Sequence, residues 1–190
     1  MITRRRMLEA MGACVLSPAM TEGPFFVDEG LDRSDIRDGV TGVPLALDLV
    51  VVSARKDCAP LAGVRVDIWH ADARGEYSDV GAARGRKFLR GYQVSDASGK
   101  VTFRSIYPGW YPGRAVHIHV KTPALTTQLF FDEAVTEKVI AQPPYDARGT
   151  RFTRNARDGI FRGGRAESLL VDLAPQGSGY VARATLVIDA

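Results

Sequence analysis

Short apolar segments with period-two alternation, closely spaced and bounded by Gly, Pro and Asp, dominate this chain and leave little room for helix. Val64 to Trp69 (VRVDIW) places Val64, Val66 and Ile68 on one face of a strand. Val43 to Ser53 passes from alternating to continuous apolar. Arg90 to Ser95 and Lys100 to Ile106 flank Asp96-Ala97-Ser98-Gly99, a polar connection ending in Gly that suits a hairpin. Val116 to Thr122, Thr127 to Phe131 and Val181 to Ile188 complete the strands, and Asp132 to Ile140 is the one helix expected. The pattern predicts an all-β, immunoglobulin-like β-sandwich with little helix. Two connections are long, Asp72 to Lys87 and Tyr107 to Arg114, and such loops on a rigid scaffold commonly carry function.

At 190 residues the chain is long enough for a substantial core. The core is expected to begin near Thr21, so residues 1–20 read as an N-terminal arm or export-signal remnant and 21–190 as the sandwich domain. Thr3-Arg4-Arg5-Arg6-Met7-Leu8 resembles the start of a twin-arginine signal, and a frayed basic terminus is the plainer reading. The formal charge of +3, from 25 basic and 22 acidic residues, is too small and too dispersed to favour nucleic acid. No apolar run approaches the ~18 residues of a membrane span. Cys14 and Cys58 read either as two unrelated buried thiols or, in an exported protein, as one disulfide. Cytoplasmic and exported locations both stay open.

Two of the three histidines, His117 and His119, fall one residue apart in Val116 to Thr122. On a strand they share a face and form a chelating pair that suits Zn, Cu, Ni or Fe. No Cys, Asp or Glu lies at a spacing that would complete a zinc hydrolase site. Tyr111 stands six residues before His117, and Tyr77 lies in a Gly-Glu-Tyr-Ser turn after Val64 to Trp69. Phenols with an ordinary pKa near 10 become ligands only for a strong Lewis acid, and ferric iron is one. Two phenolates and a hydroxide would balance its charge. His70 reads as a strand-end residue satisfied by hydrogen bonds.

Several stretches, in order, resemble the intradiol ring-cleavage dioxygenases, the superfamily of catechol, hydroxyquinol and protocatechuate 3,4-dioxygenases. They are Thr21-Glu22-Gly23-Pro24-Phe25-Phe26, Leu61-Ala62-Gly63 through Asp72, Gly75-Glu76-Tyr77-Ser78, and Phe88-Leu89-Arg90-Gly91 with Asp96 to Gly99. Tyr107 to Tyr111, Arg114 to His119, Thr127 to Phe131 and Asn155 to Phe161 follow. The resemblance is to the small, protocatechuate-type and exported single-domain members, which lack an N-terminal helical dimerisation segment. Those exported members carry a twin-arginine signal and a cysteine before the Thr-Glu-Gly-Pro motif, as Thr3 to Leu8 and Cys14 would here.

The resemblance implies an aromatic-dioxygenase β-sandwich and non-haem Fe(III) held by Tyr77, Tyr111, His117 and His119, with solvent hydroxide beside them. Tyr111 would be the ligand that leaves when substrate chelates. Arg114 would stabilise the electron-rich substrate, and Gln128 would stand near the substrate and oxygen. Pro24 and Trp110 are candidate pocket residues, or packing residues. Arg114, three residues before His117, would start on the opposite strand face, with Pro112-Gly113 bending it over the pocket. The implied reaction joins a catechol and O2 to give a cis,cis-muconate. A non-catalytic sandwich module that binds a metal or ligand is the alternative. A carboxylated substrate would want one more cation, for which Arg84, Lys87 and Arg90 are candidates. A homo- or hetero-oligomer is compatible with the resemblance.

Overall fold

The computed structural model describes residues 14–163 and 165–190. The twin-arginine-like stretch Thr3 to Leu8 lies outside the described residues.

Two sheets face each other. The first contains β1 (Pro44–Ser53), β2 (Ala59–Pro60), β5 (Lys100–Ile106), β8 (Asp172–Gln176) and β9 (Gly179–Ile188). Its order is β2-β1-β9-β8, with β5 also paired to β1. The second runs β4-β3-β6-β7, from β3 (Arg65–Trp69), β4 (Arg90–Val94), β6 (His117–Thr122) and β7 (Leu125–Phe130). Pairing is antiparallel except for β1 with β9, which run parallel from Leu45↔Tyr180 to Ser53↔Ile188. The described residues contain two helices, α1 (Glu133–Ile140) and α2 (Gly159–Gly163). Asp132 caps α1 by accepting the Val135 amide at 3.0 Å.

The all-β sandwich reading therefore holds, as does the helix after Phe131. The expected hairpin does not form: β4 pairs with β3 and β5 with β1, so the Asp96 to Gly99 turn carries the chain from one sheet to the other. The Asp96 carboxylate accepts the amides of Ser98 and Lys100 in this turn between the sheets. Gly99 closes it at φ 76°, where a Cβ would lie 2.4 Å from the Val51 carbonyl oxygen. Two strands were not expected. β2 is only two residues long, and β8 carries Pro175, which a strand tolerates at a sheet edge.

Alternation in β1 sends Leu45, Leu47, Leu49 and Val51 inward, all essentially inaccessible. Val66 and Ile68 of β3, Ile118 and Val120 of β6 and Leu129 of β7 share that core. Period two then puts Trp69, His119 and Gln128 on the other face of the second sheet, as direct partners in one cross-strand row. These outward side chains are buried as well, so something other than the first sheet covers them.

The cover is the segment before β1 together with the loops after β3 and β5. Cys14 is disulfide-bonded to Cys58, so the two cysteines are partners rather than unrelated thiols. Ser17 donates its amide to the Val187 carbonyl, and Met20 to that of Thr126. Residues 23–26 thereby reach the outer face of the second sheet.

Candidate metal centre

The centre is built on β6. The Nδ1 of His117 lies 2.7 Å from the Ala115 carbonyl oxygen. A carbonyl only accepts, so Nδ1 carries the proton and the lone pair is on Nε2. His119 Nε2 lies 3.1 Å from it. Burial lowers the pKa of His117 to about 3 and, helped by His117 itself, that of His119 to about 2. Both rings are neutral donors at neutral pH. Trp69 stacks on His119, its ring centre 4.7 Å away and nearly parallel, and Gly23 turns against the other side.

Tyr77 reaches the pair through a tight reversal after β3. The Asp72 carboxylate accepts the amides of Arg74 and Glu76, each at 2.9 Å, and Gly75 adopts φ 76°. Tyr77 Oη ends 3.5 Å from His117 Nε2, with Phe25 stacked on its ring at 4.5 Å. Tyr111 arrives from the loop after β5, and its Oη lies 3.4 Å from the same nitrogen. Burial raises the pKa of both phenols. For Tyr77, almost enclosed, the neighbouring Tyr111 adds to the rise; for half-buried Tyr111, Arg114 opposes it.

The two tyrosine loops interlock through bare glycines. A Cβ on Gly75 would lie 2.2 Å from the Trp110 carbonyl oxygen, and one on Gly109 would lie 2.1 Å from that of Asp72. The Gly109 amide donates to the same Asp72 carbonyl at 3.1 Å. Each loop thus fixes the other, and with it the separation of the two phenols.

Arg114 does not lie on the strand, which begins at His117. Strand alternation therefore says nothing about its direction. A turn at Gly113 (φ 85°), closed by the Arg114 amide on the Tyr111 carbonyl, delivers Nη1 to 3.4 Å from His117 Nε2. Its Nη2 donates to Gln128 Oε1, while Gln128 Nε2 donates to the Thr21 carbonyl at 2.9 Å. Its Nε donates at 2.8 Å to Asp158, a fully buried carboxylate that the sequence reading did not single out. Asp158 also accepts the amides of Ala115, Ile160 and Phe161. An Asp just before α2 reads as a helix cap, but its ion pair 44 residues away leaves no local trace in the sequence.

The remaining candidates fall outside this cluster. Pro24 is exposed, and its neighbour Phe25 is the residue that contacts Tyr77. Trp110 is buried in the sandwich core, with the Arg148 guanidinium 5.0 Å over its ring. His70 bridges the Ser105 hydroxyl (2.7 Å) and the Ala71 carbonyl (2.9 Å), in keeping with a structural role. Arg90 is buried without a carboxylate in contact. It donates to the Ser78 hydroxyl and carbonyl and to the carbonyls of Phe25 and Val27. It thereby clips the Tyr77 loop to the segment carrying Phe25.

The donor set fits a metal better than it fits a hydrogen-bond network. One lone pair on His117 Nε2 faces Tyr77, Tyr111, Arg114 and His119 within 3.5 Å, and it can accept from only one of them well. His119 Nδ1 is buried without a partner among the described residues. A cation among the two phenol oxygens and two imidazole nitrogens resolves the crowding. Among the described residues no group of three or more His, Cys, Asp or Glu could hold a metal, so a metal here would need the phenols. Beside them opens a cavity of about 220 Å³ lined in part by Phe25, Tyr77, Val80 and Tyr111.

Known proteins share this arrangement of sheets. A family model described as dioxygenase matches residues 18–152. The chain is similar to an intradiol ring-cleavage dioxygenase structure from Tetranychus urticae, with 33% identity, a TM-score of 0.87, and coverage of 93% of this chain and 95% of that one. It is also similar to the dioxygenase domain of a dioxygenase–carbohydrate-binding fusion from Streptomyces sp. SirexAA-E, at 33% identity and TM-score 0.73, covering 93% and 99%. Among curated relatives, a hydroxyquinol 1,2-dioxygenase from Rhodococcus opacus is 29% identical over 83% of this chain. A catechol 1,2-dioxygenase from Acinetobacter lwoffii is 33% identical over 50% of it. The chain spans 54% and 32% of those two proteins respectively.

Proposed function

The chain belongs to the intradiol ring-cleavage dioxygenases, and from that premise we propose that it cleaves a catechol between its two hydroxyl carbons with O2, giving a cis,cis-muconate. In this reading residues 21–190 are the catalytic unit, and Tyr77, Tyr111, His117 and His119 hold non-haem Fe(III). The observation that carries it is the crowding of two phenols and two imidazoles around one nitrogen lone pair. A sandwich that binds no metal gives no reason for that arrangement, and the family match favours the enzyme over a non-catalytic metal-binding module.

Ferric iron, when bound, supplies Lewis acidity and a template for both catechol oxygens. The protein's share is positioning, proton handling and exclusion of water. Both phenols line the cavity and Tyr111 is the less buried of them, so it is the one free to move aside and take a catechol proton on Oη. Tyr77, buried and stacked under Phe25, stays in place. His117 and His119 are held by the Ala115 carbonyl and the Trp69 ring. Arg114 directs Nη1 at the centre, where it stabilises negative charge developing on the substrate oxygens. Gln128 and Asp158 hold that guanidinium in place. Phe26, tilted over Trp69 at 4.7 Å, backs the ring that stacks on His119.

The Cys14–Cys58 disulfide supports an oxidising compartment, and hence export. The reading is tested by oxygen uptake with catechol on iron-loaded protein, alongside its visible spectrum. Turnover and a tyrosinate-to-iron absorption band are expected, and Tyr77→Phe should weaken or shift the band. A colourless iron-loaded protein, or a band unchanged in that variant, rules the ligand assignment out.

A further inference from the structure

The cavity of about 220 Å³ against Tyr77 and Tyr111 has a chemistry of its own. Its wall is mostly apolar, from Phe25, Val80, Ala82 and Ala83 beside the two tyrosines. Glu76 is the one charged residue that contributes to it, and among the described residues no Lys, Arg or His does. An apolar cavity of about 150 Å³ accommodates a benzene ring. The larger volume here leaves room for a small ring substituent.

Three guanidinium groups stand close by, and each is already committed. Arg148, packed against Gly75 of the lining, donates to the Arg74 carbonyl and lies over the Trp110 ring. Arg114 is paired with the buried Asp158 and bonded to Gln128. Arg90 lies behind Tyr77 with its N–H groups directed at the Ser78 hydroxyl and at the carbonyls of Ser78, Phe25 and Val27. Lys87 pairs with Glu29 at 2.5 Å, and it and Arg84 lie outside the cavity wall. A ring carboxylate entering this space would leave water without gaining a counter-ion, next to a wall whose one charge is of its own sign.

We infer that the site selects catechols bearing an uncharged, apolar ring substituent and discriminates against carboxylated ones, with the Glu76–Val80–Ala83 wall as the determinant. The inference rests on the ring-cleavage reading above. A buried methyl group favours binding about fourfold through its apolar area, whereas an unpaired carboxylate is penalised.

The test compares 4-methylcatechol with protocatechuate on iron-loaded protein. It measures kcat/KM by oxygen uptake and affinity by calorimetry under nitrogen. Preference for 4-methylcatechol by at least about 100-fold in kcat/KM is expected, with affinity moving the same way. Val80→Lys supplies the missing cation and should narrow the gap at least tenfold by improving protocatechuate. Ala82→Lys, at an exposed position on the same wall, serves if that variant does not fold. Equal binding of the two compounds, tighter binding of protocatechuate, binding of neither, or a gap unmoved by either lysine overturns the inference. Preferential binding of 4-methylcatechol without cleavage of either compound leaves the selectivity standing and removes the ring-cleavage reading.

Discussion

Asp158 Oδ2 lies 2.8 Å from Arg114 Nε and 2.7 Å from the Ala115 amide nitrogen, so one buried carboxylate oxygen fixes a guanidinium and the backbone beside it. The other oxygen holds the first amides of α2. The end of Arg114 that faces the candidate metal centre is therefore aimed from behind. Asp158→Asn keeps the shape but weakens the ion pair, and kcat should fall roughly 10- to 100-fold with iron content retained. Asp158→Ala strands a buried cation and should cost about 3–5 kcal/mol of stability. Steady-state kinetics per bound iron and chemical denaturation check the two effects separately.

The interlocked glycines give a second expectation. Gly109→Ala forces a Cβ to within 2.1 Å of the Asp72 carbonyl oxygen, and neither partner is a flexible side chain. The loops must separate, at a cost of about 1–3 kcal/mol, and the phenols with them. Gly159→Ala, with no atom within 4 Å of the added carbon, is the matched control. Iron affinity should drop in the first variant and hold in the second, as read by competition with a chelator.

His70 predicts a pH dependence of stability. Burial lowers its pKa to about 4 from the ordinary 6.5. The unfolded chain then binds the proton more readily, so the stabilisation is complete above pH 6.5 and disappears as the pH falls towards 4. At pH 5 this group alone should remove about 2 kcal/mol. Urea midpoints at pH 7 and pH 5 measure the loss, and His70→Asn should flatten the slope by that amount.

The disulfide closes a sequence separation of 44 residues, which the chain-entropy account values at up to about 4 kcal/mol. Cys14→Ser with Cys58→Ser should lower the thermal midpoint by roughly 10 °C. The metal centre has its own anchors, including the Met20 amide on Thr126 and Gln128 on Thr21. The visible band should therefore survive. Calorimetry and absorption spectra of the double variant check both statements.

Much of this architecture was legible because period-two burial leaves a direct imprint. His117 and His119 share a face for the same reason that Ile118 and Val120 share the other. β8 escaped because Pro175 and its exposed flanks give an edge strand no apolar rhythm. At the site, spacing yielded the histidine pair and raised Tyr111 and Tyr77 as candidate phenolate partners; the family resemblance turned these candidates into a ligand set. Alternation failed for Arg114 because Gly113 turns the chain before β6 begins. Asp158 and the double duty of Arg90 were invisible for another reason: both act on partners brought together only by the sandwich.

The glycine interlock also bears on how the candidate site can be altered. Asp72 to Tyr77 and Tyr107 to Tyr111 are far apart in the chain, yet each presents the backbone surface that the other was shaped against. A graft of either loop from a relative would bring a mismatched counterpart. Recombination that re-engineers this centre must move both loops as one cassette, and natural drift in one is constrained by the other.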